Sequence, residues 1–339
     1  MDYEEQKYDP KLVLRIIKTL MYCRVRKMGL TLVGIGRLLV GMKQSARNTE
    51  QEEKTEDSGL SEVFRTLEWL KAKRIVREKE GVWEWAGSLD DYNAACGKIC
   101  ARKIKIAKKA ARYLRHIPFI RMVGICGTVA TGNAKENSDI DFFVITKRDR
   151  IWSARIFVMA VLEVMGIRKK PHAFTDRICL NHFVADEEKS LEVKFKDLYS
   201  ALEFARMIIL INKDGTHERF IRANSWMKEY LPELDWWEEG QAAESSAPIT
   251  GLSTEGSRMQ EAGEKLLSGK TGDRLEQMLG VKQAGRIERK HVWEDNGEVY
   301  WGSDALVFRP KPKGTSFAAE YKAMLEGHRE EIRKLLAYI

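Results

Sequence analysis

The sequence predicts an α+β fold: a mixed β-sheet with a helical cap, preceded by a smaller unit of helices and a hairpin. Three observations carry this. Met122–Cys126 and Ile140–Ile145 are short apolar runs rich in β-branched residues, with the length and composition of buried strands. Pro10–Leu20, Leu60–Leu70 and Ile151–Met165 repeat apolar residues every three to four positions, the period of a helix with one buried face. Glu80-Gly81 separates Arg74–Glu78 from Val82–Trp85, a turn signal between two short strands. At 339 residues and 44% hydrophobic, the chain has material for two or three domains with their own cores.

In chain order, Asp9-Pro10 opens a helix with apolar residues at Leu12, Val13, Ile16, Ile17 and Leu20. A second apolar segment, Leu30–Val40, is followed by a polar insertion, Lys43–Ser58. Leu60, Val63, Phe64, Leu67 and Leu70 then form a third helical stripe, and the hairpin follows. Three helices and a hairpin predict a winged-helix-like domain over residues 1–89. Such domains read DNA with the third helix. Here that helix presents Glu62, Arg65, Thr66, Glu68, Lys71 and Lys73, a mixed face that favours a packing module over a DNA reader. Gly34-Ile35-Gly36 lacks the strand, helix and third glycine of a dinucleotide fingerprint and is set aside.

Residues 90–118 read as a connecting helix ended by Pro118. Ile104, Ala107, Ala111 and Leu114 form its apolar stripe. The net charge of the chain is +8, and residues 101–121 alone hold eight Arg or Lys with no acid. Such a concentration points to an anionic partner, while a solvated charged face is the commoner meaning of a charge run.

The residues that can carry chemistry lie beyond Pro118. Val123-Gly-Ile-Cys-Gly127-Thr128 is succeeded, after a gap of eleven residues from Gly127, by Asp139, which opens Asp-Ile-Asp-Phe-Phe-Val-Ile. Asp139 and Asp141 are two apart, so they point to one face of a strand with Cβ atoms about 7 Å apart. Two carboxylates so placed can share divalent cations, and paired metals in phosphoryl-transfer sites sit about 3.5–4 Å apart. Mg²⁺ favours a few carboxylates together with substrate phosphates. Gly127 permits a tight turn, and Thr128 offers a hydroxyl and an N–H at a helix start, where phosphate oxygens bind. Ser138 forms the turn into the second strand.

Strand, Gly-hydroxyl, about ten residues and an Asp-x-Asp strand resemble the nucleotidyltransferase (polymerase β-like) superfamily, with Thr128 in place of the usual Ser. The likeness extends to uncharacterised proteins that carry this domain behind a basic helix and an N-terminal winged-helix-like region. There a later strand reads Cys-Leu-Asn, as Cys179-Leu180-Asn181 does here. It is specific over residues 115–184. The resemblance implies a mixed-sheet nucleotidyltransferase domain over 119–237, with Asp139 and Asp141 as catalytic metal ligands. It also implies Mg²⁺ or Mn²⁺ as cofactor, and Gly127, Thr128 and Ser138 as nucleotide-binding residues. The superfamily's third metal carboxylate belongs on a later strand, and Ile178–Val184 carries no acid. Strict alternation there sets Ile178, Leu180, His182 and Val184 on one face and Cys179, Asn181 and Phe183 on the other. Asn181 is the candidate for the third metal position, with Asp176 and Asp186 flanking the strand. Lys135, Lys147 and Arg148 are candidate charge-neutralising residues, the last two alternatively ending the strand. The expected activity is transfer of an NMP group from an NTP to an RNA or protein acceptor, with pyrophosphate released. The rival is a catalytically inactive, nucleotide-sensing regulator. A sugar-nucleotide transferase with an Asp-x-Asp metal site would need several strands before the motif, where this chain reads as helices.

After the second strand come the helix Ile151–Met165, containing Arg155, then the 178–184 strand, a helix over Asp197–Ile211 and another over Glu218–Tyr230. Trp226, Trp236 and Trp237 suit packing more than base stacking. Residues 238–272, rich in Glu, Gly, Ser and Ala, read as a flexible linker. Within 273–339 the pattern predicts a helix Arg274–Lys290, strands Val299–Trp301 and Leu306–Phe308, and a terminal helix Phe317–Leu336. The five cysteines read as buried free thiols, which suits a reducing cytoplasm. The acidic start MDYEEQKYDP has no apolar run, and no segment has the length of a membrane span, so no signal peptide and no membrane partner are expected.

Overall fold

The computed structural model describes residues 8–41, 56–86, 94–232, 257–291, 298–309 and 313–339. Most of the expected polar insertion, Trp236, Trp237 and residues 238–256 lie outside them.

The N-terminal unit begins with α1 (Pro10–Val25), capped by the Asp9 carboxylate, which accepts the Lys11 N–H at 2.8 Å. The apolar segment after it divides into a two-residue strand, β1 (Leu30–Thr31), and a short helix, α2 (Leu32–Arg37), capped by the Thr31 hydroxyl. Gly36 lies in α2, and a Cβ there would fall 2.7 Å from Leu60 Cδ2, so this glycine serves helix packing. The helix α3 (Glu56–Ala72) leads to β2 (Val76–Lys79) and β3 (Val82–Trp85), joined through Glu80 and Gly81 with φ of 54° and 78°. Two consecutive left-handed residues are what a two-residue hairpin demands. The three strands form an antiparallel sheet in the order β1-β3-β2.

The basic helix α4 (Ala94–Leu114) leads into the central unit: β4 (Ile120–Cys126), α5 (Gly127–Ala130), β5 (Ile140–Lys147), α6 (Ile151–Val164) and β6 (Ile178–Asp186). There follow α7 (Glu188–Leu191), α8 (Leu198–Ala205), β7 (Ile208–Asn212), α9 (Thr216–Ala223) and a 3₁₀ turn at Ser225–Glu229. The remaining elements are α10 (Arg258–Leu266), α11 (Gly269–His291), β8 (Glu298–Trp301), β9 (Ala305–Arg309), α12 (Lys313–Gly327) and α13 (Arg329–Ala337). The six central strands lie in the order β7-β4-β5-β6-β9-β8. Only β5 and β6 are parallel, connected through α6, so the sheet is mixed as expected.

Alternation along β5 divides the core. Phe142 and Val144 face α4, α6 and α11, joining Ala107, Leu114, Val158, Leu162 and Ile287. Phe143 and Ile145 face α8 and α9 and join a second cluster that runs without interruption into the N-terminal unit.

Several expectations change. The helix expected through Ile211 stops at Ala205, and Ile208–Asn212 forms β7, because three of the four residues Ile-Ile-Leu-Ile are β-branched and the segment pairs with β4. Within the expected linker, Arg258–Leu266 forms α10 and α11 begins at Gly269. Ser257 caps α10, and Glu264 accepts from the Arg121 guanidinium at 2.8 and 2.9 Å and from the Phe119 N–H at 2.9 Å. The sheet does not end before residue 237, since β9 pairs with β6 and brings β8 with it. The single terminal helix is two, α12 and α13, both packed on α1.

Candidate active site

The site forms where β4 ends and β5 begins. Cys126 at the end of β4 is in register with Asp141 near the start of β5, so the turn after β4 lies beside the aspartate pair. Gly127 makes that turn with φ +69°, and an added Cβ would lie 2.5 Å from Asp141 Oδ2. Both the backbone and the carboxylate therefore require glycine here. Thr128 follows in α5, half-buried at the rim. Ser138 closes the preceding turn: its Oγ accepts the Lys135 N–H at 2.9 Å, and its carbonyl oxygen accepts from Lys103 Nζ at 2.7 Å.

Lys103 is the least expected part of this support. It belongs to the basic helix α4 yet is fully buried, donating also to Asp176 Oδ1 at 2.6 Å and to the Glu136 carbonyl at 3.1 Å. Three acceptors satisfy its three donors. It ties α4 to the loop carrying Asp139 and to the loop before β6. Arg102 beside it pairs with Glu136 and Asp176. Burial would raise the Asp176 carboxyl, but Lys103 and Arg102 hold it below the ordinary aspartate range. Asp176 is thus committed to ion pairs, and so is Asp186 at the other end of β6, which accepts from Arg219 at 2.6 Å.

β6 does not alternate strictly. The parallel register runs Asp141 with Cys179, then Phe143 with His182, so β6 carries one extra residue between them. The bulge moves His182 onto the face of Phe143, whose ring it meets at 4.6 Å, and sends Phe183 to the opposite core. It also brings Asn181 to the aspartates, where its Nδ2 donates to Asp141 Oδ1 at 2.8 Å. Ligand atoms of Asp139, Asp141 and Cys179 all lie within 4.8 Å of one another.

One cation is already present. The Lys169 ammonium donates to Asp139 Oδ2 and lies 3.5 Å from Cys179 Sγ. Burial pulls this lysine down, but the hydrogen bond to Asp139 and the nearby negative charges outweigh it and hold it above the ordinary lysine value. Burial, followed by the charge of Asp141, pushes the Cys179 thiol up to about 12. A lysine stabilised in this way shows that the pair of carboxylates suits a positive charge. The donors also suit a hard divalent ion: two carboxylates close together, one of them held by the Asn181 NH₂. Sulfur is a poor ligand for Mg²⁺, which leaves Cys179 as a neutral neighbour.

Of the other expected residues, Lys147 and Arg148 stand at the far end of β5, about 20 Å from Asp141 at strand rise. There Arg148 pairs with Asp149 and Glu187. They end the strand and take no part in the site. Arg155 of α6 donates to Gln283 Oε1 at 2.6 Å, and burial pushes it down to about 10. Lys169 and Lys103 escape a reading of the sequence. A lysine in a charge run reads as solvated, and nothing local marks the one that turns inward.

Residues 104–217 match the family model of the nucleotidyltransferase domain. This part of the chain belongs to the nucleotidyltransferase superfamily. The match covers about a third of the chain and contains the aspartates, the glycine turn, Asn181 and Lys169, with Lys103 just outside it. Searches of curated proteins and of solved structures return no match. Within the nucleotidyltransferase domain, Gly127-Thr128 and Asp139-x-Asp141 occupy the expected strand ends, and no helix among the described residues is long and apolar enough to cross a membrane.

Proposed function

We propose that the protein transfers a nucleotidyl group from an NTP to an acceptor on RNA or protein, with release of pyrophosphate. The observation that carries this reading is the Asp139–Asp141 pair, brought together beside the glycine turn at Gly127 and already holding a cationic group. In this reading Asp139 and Asp141 hold Mg²⁺ or Mn²⁺. Bound there, the ion neutralises charge developing on the phosphates. Gly127 and Thr128 receive the triphosphate at the start of α5, Ser138 and Lys103 fix the loop that carries Asp139, and Asn181 orients Asp141. An acceptor hydroxyl oxygen attacks the α-phosphorus and releases its proton to water, the α–β bridging bond breaks, and pyrophosphate leaves with the bonding pair. The exposed Arg102, Lys105, Lys109 and Arg112 of α4 give a polyanionic acceptor a basic surface.

We read the N-terminal unit, with its order α1-β1-α2-α3-β2-β3, as a winged-helix-like packing module. Thr66 of α3 is buried, its exposed face mixes Arg65 with Glu68, and Lys73 lies just beyond its end.

One observation favours the alternative, a nucleotide-binding regulator without turnover: the third-acid position holds Asn181, and both flanking acids are spent in ion pairs. Incubation with each α-labelled NTP, Mg²⁺ or Mn²⁺, total RNA and cell lysate separates the two. Label transfer that disappears in Asp139→Asn/Asp141→Asn supports the enzyme. Metal-dependent nucleotide binding without transfer supports the regulator.

A further inference from the structure

We propose that Lys169 is a built-in cation of the nucleotide site, taking the place of a second metal ion, so that each chain binds a single divalent ion together with NTP. This rests on the reading of Asp139 and Asp141 as metal ligands.

The lysine is placed by the fold. Its N–H donates to the Ile178 carbonyl at 3.0 Å, and the Ile178 N–H donates back to Ile167 at 2.7 Å. Lys170 and Ala173 close the following turn with two further backbone bonds. The Lys169 backbone is therefore pinned to the first residue of β6, one residue before Cys179, which is in register with Asp141. Its neighbours are drawn elsewhere: Arg168 and Lys170 both pair with Glu163 on α6. Of three consecutive basic residues, only the middle one is directed to the aspartates.

The ligand count agrees. Two metal ions held about 4 Å apart bring four positive charges to a site and need several carboxylates between them. Among the described residues this site offers two, since Asn181 turns its NH₂ to Asp141 and Asp176 and Asp186 are paired elsewhere. Two carboxylates and the oxygens of a triphosphate are ligands enough for one divalent ion, and Lys169 adds a further positive charge without drawing on that ligand set. The ammonium supplies three donors for the Asp139 carboxylate and for phosphate oxygens.

Mn²⁺ binding read by electron paramagnetic resonance, with a non-hydrolysable α,β-methylene NTP, tests the assignment. The wild type is expected to bind one Mn²⁺ per chain. Lys169→Met should bind free Mn²⁺ about tenfold more tightly, because a competing charge is gone, and the Mn²⁺–nucleotide complex about tenfold more weakly. Lys169→Arg should restore the latter. Thermal melting of each variant confirms that it is folded. Two Mn²⁺ per wild-type chain, or a Lys169→Met protein indistinguishable from wild type, overturns the assignment and leaves the metal reading standing. Tighter binding of the Mn²⁺–nucleotide complex by Lys169→Met makes the lysine a plug that nucleotide must displace, and overturns it too. Unchanged binding by Asp139→Asn/Asp141→Asn overturns the metal reading beneath it and this assignment with it.

Discussion

Asn181 is where the chemistry of a single atom decides most. Its amide donates to Asp141, so Asn181→Asp sets two carboxylate oxygens against each other in a half-buried site. Without metal the variant should lose about 1–3 kcal/mol, the cost of a repelling and partly desolvated charge. With Mn²⁺ and NTP the added acid becomes a ligand, and linkage should return most of that loss. Melting curves with and without Mn²⁺–NTP check this. A loss that no metal or nucleotide recovers would make Asn181 an ordinary sheet residue. Asp139, Asp141 and Gly127 are legible in the sequence, because spacing along one strand and a turn is local. Lys169 is not, since its approach depends on a backbone bridge to Ile178 and on Glu163 drawing away the lysine beside it. The bulge in β6 is equally hidden, as no proline or glycine marks it.

At the scale of elements, α10 shows why composition misleads. It carries few apolar residues and reads as linker, yet Gln260 and Glu264 anchor it beneath the sheet through polar contacts. Burial would raise Glu264, but the Arg121 guanidinium and the Phe119 N–H outweigh it and bring its carboxyl down to about 2. A carboxyl lower in the folded chain than its ordinary value near 4.5 stabilises the fold at neutral pH. That contribution is complete above pH 4.5 and is lost as pH falls toward about 2. Discounted for solvent screening of a partly exposed pair, its size is on the order of 2 kcal/mol. Glu264→Gln should lower neutral-pH stability by a similar amount and flatten the stability profile between those limits. Urea unfolding at a series of pH values measures both, and a parallel profile in the variant would place the acid sensitivity elsewhere. Strand β7 reads as helix for the opposite reason: its four apolar residues continue the period of α8, and only pairing with β4 separates strand from helix.

For the whole molecule, the two ends of the chain share one core, which no local pattern announces. Phe317 of α12 packs on Tyr22 of α1 with ring centroids 4.7 Å apart and on Tyr199 of α8 at 5.7 Å. Tyr321 donates to the Lys18 carbonyl at 3.1 Å, and Trp85 of β3 meets His328 edge-on at 5.4 Å. The N-terminal unit also reaches the active-site turn directly, where the Asn133 amide donates to the Arg26 carbonyl at 2.5 Å. Domains that succeed one another along the sequence are therefore joined both directly and through the C-terminal helices. Truncating Phe317 to Ala removes a nearly buried ring that touches both units, a change worth about 3 kcal/mol in well-packed cores. If the units share their stability, that loss appears in both at once. Trp83 and Trp85 report on the N-terminal unit and Trp152 on the central one, so single-region tryptophan variants can follow each in urea. Phe317→Ala should move both transitions to lower urea together and leave them coincident. A transition near Trp83 and Trp85 that shifts while the one near Trp152 stays in place would mean that the units fold independently. The C-terminal helices would then belong to the first alone.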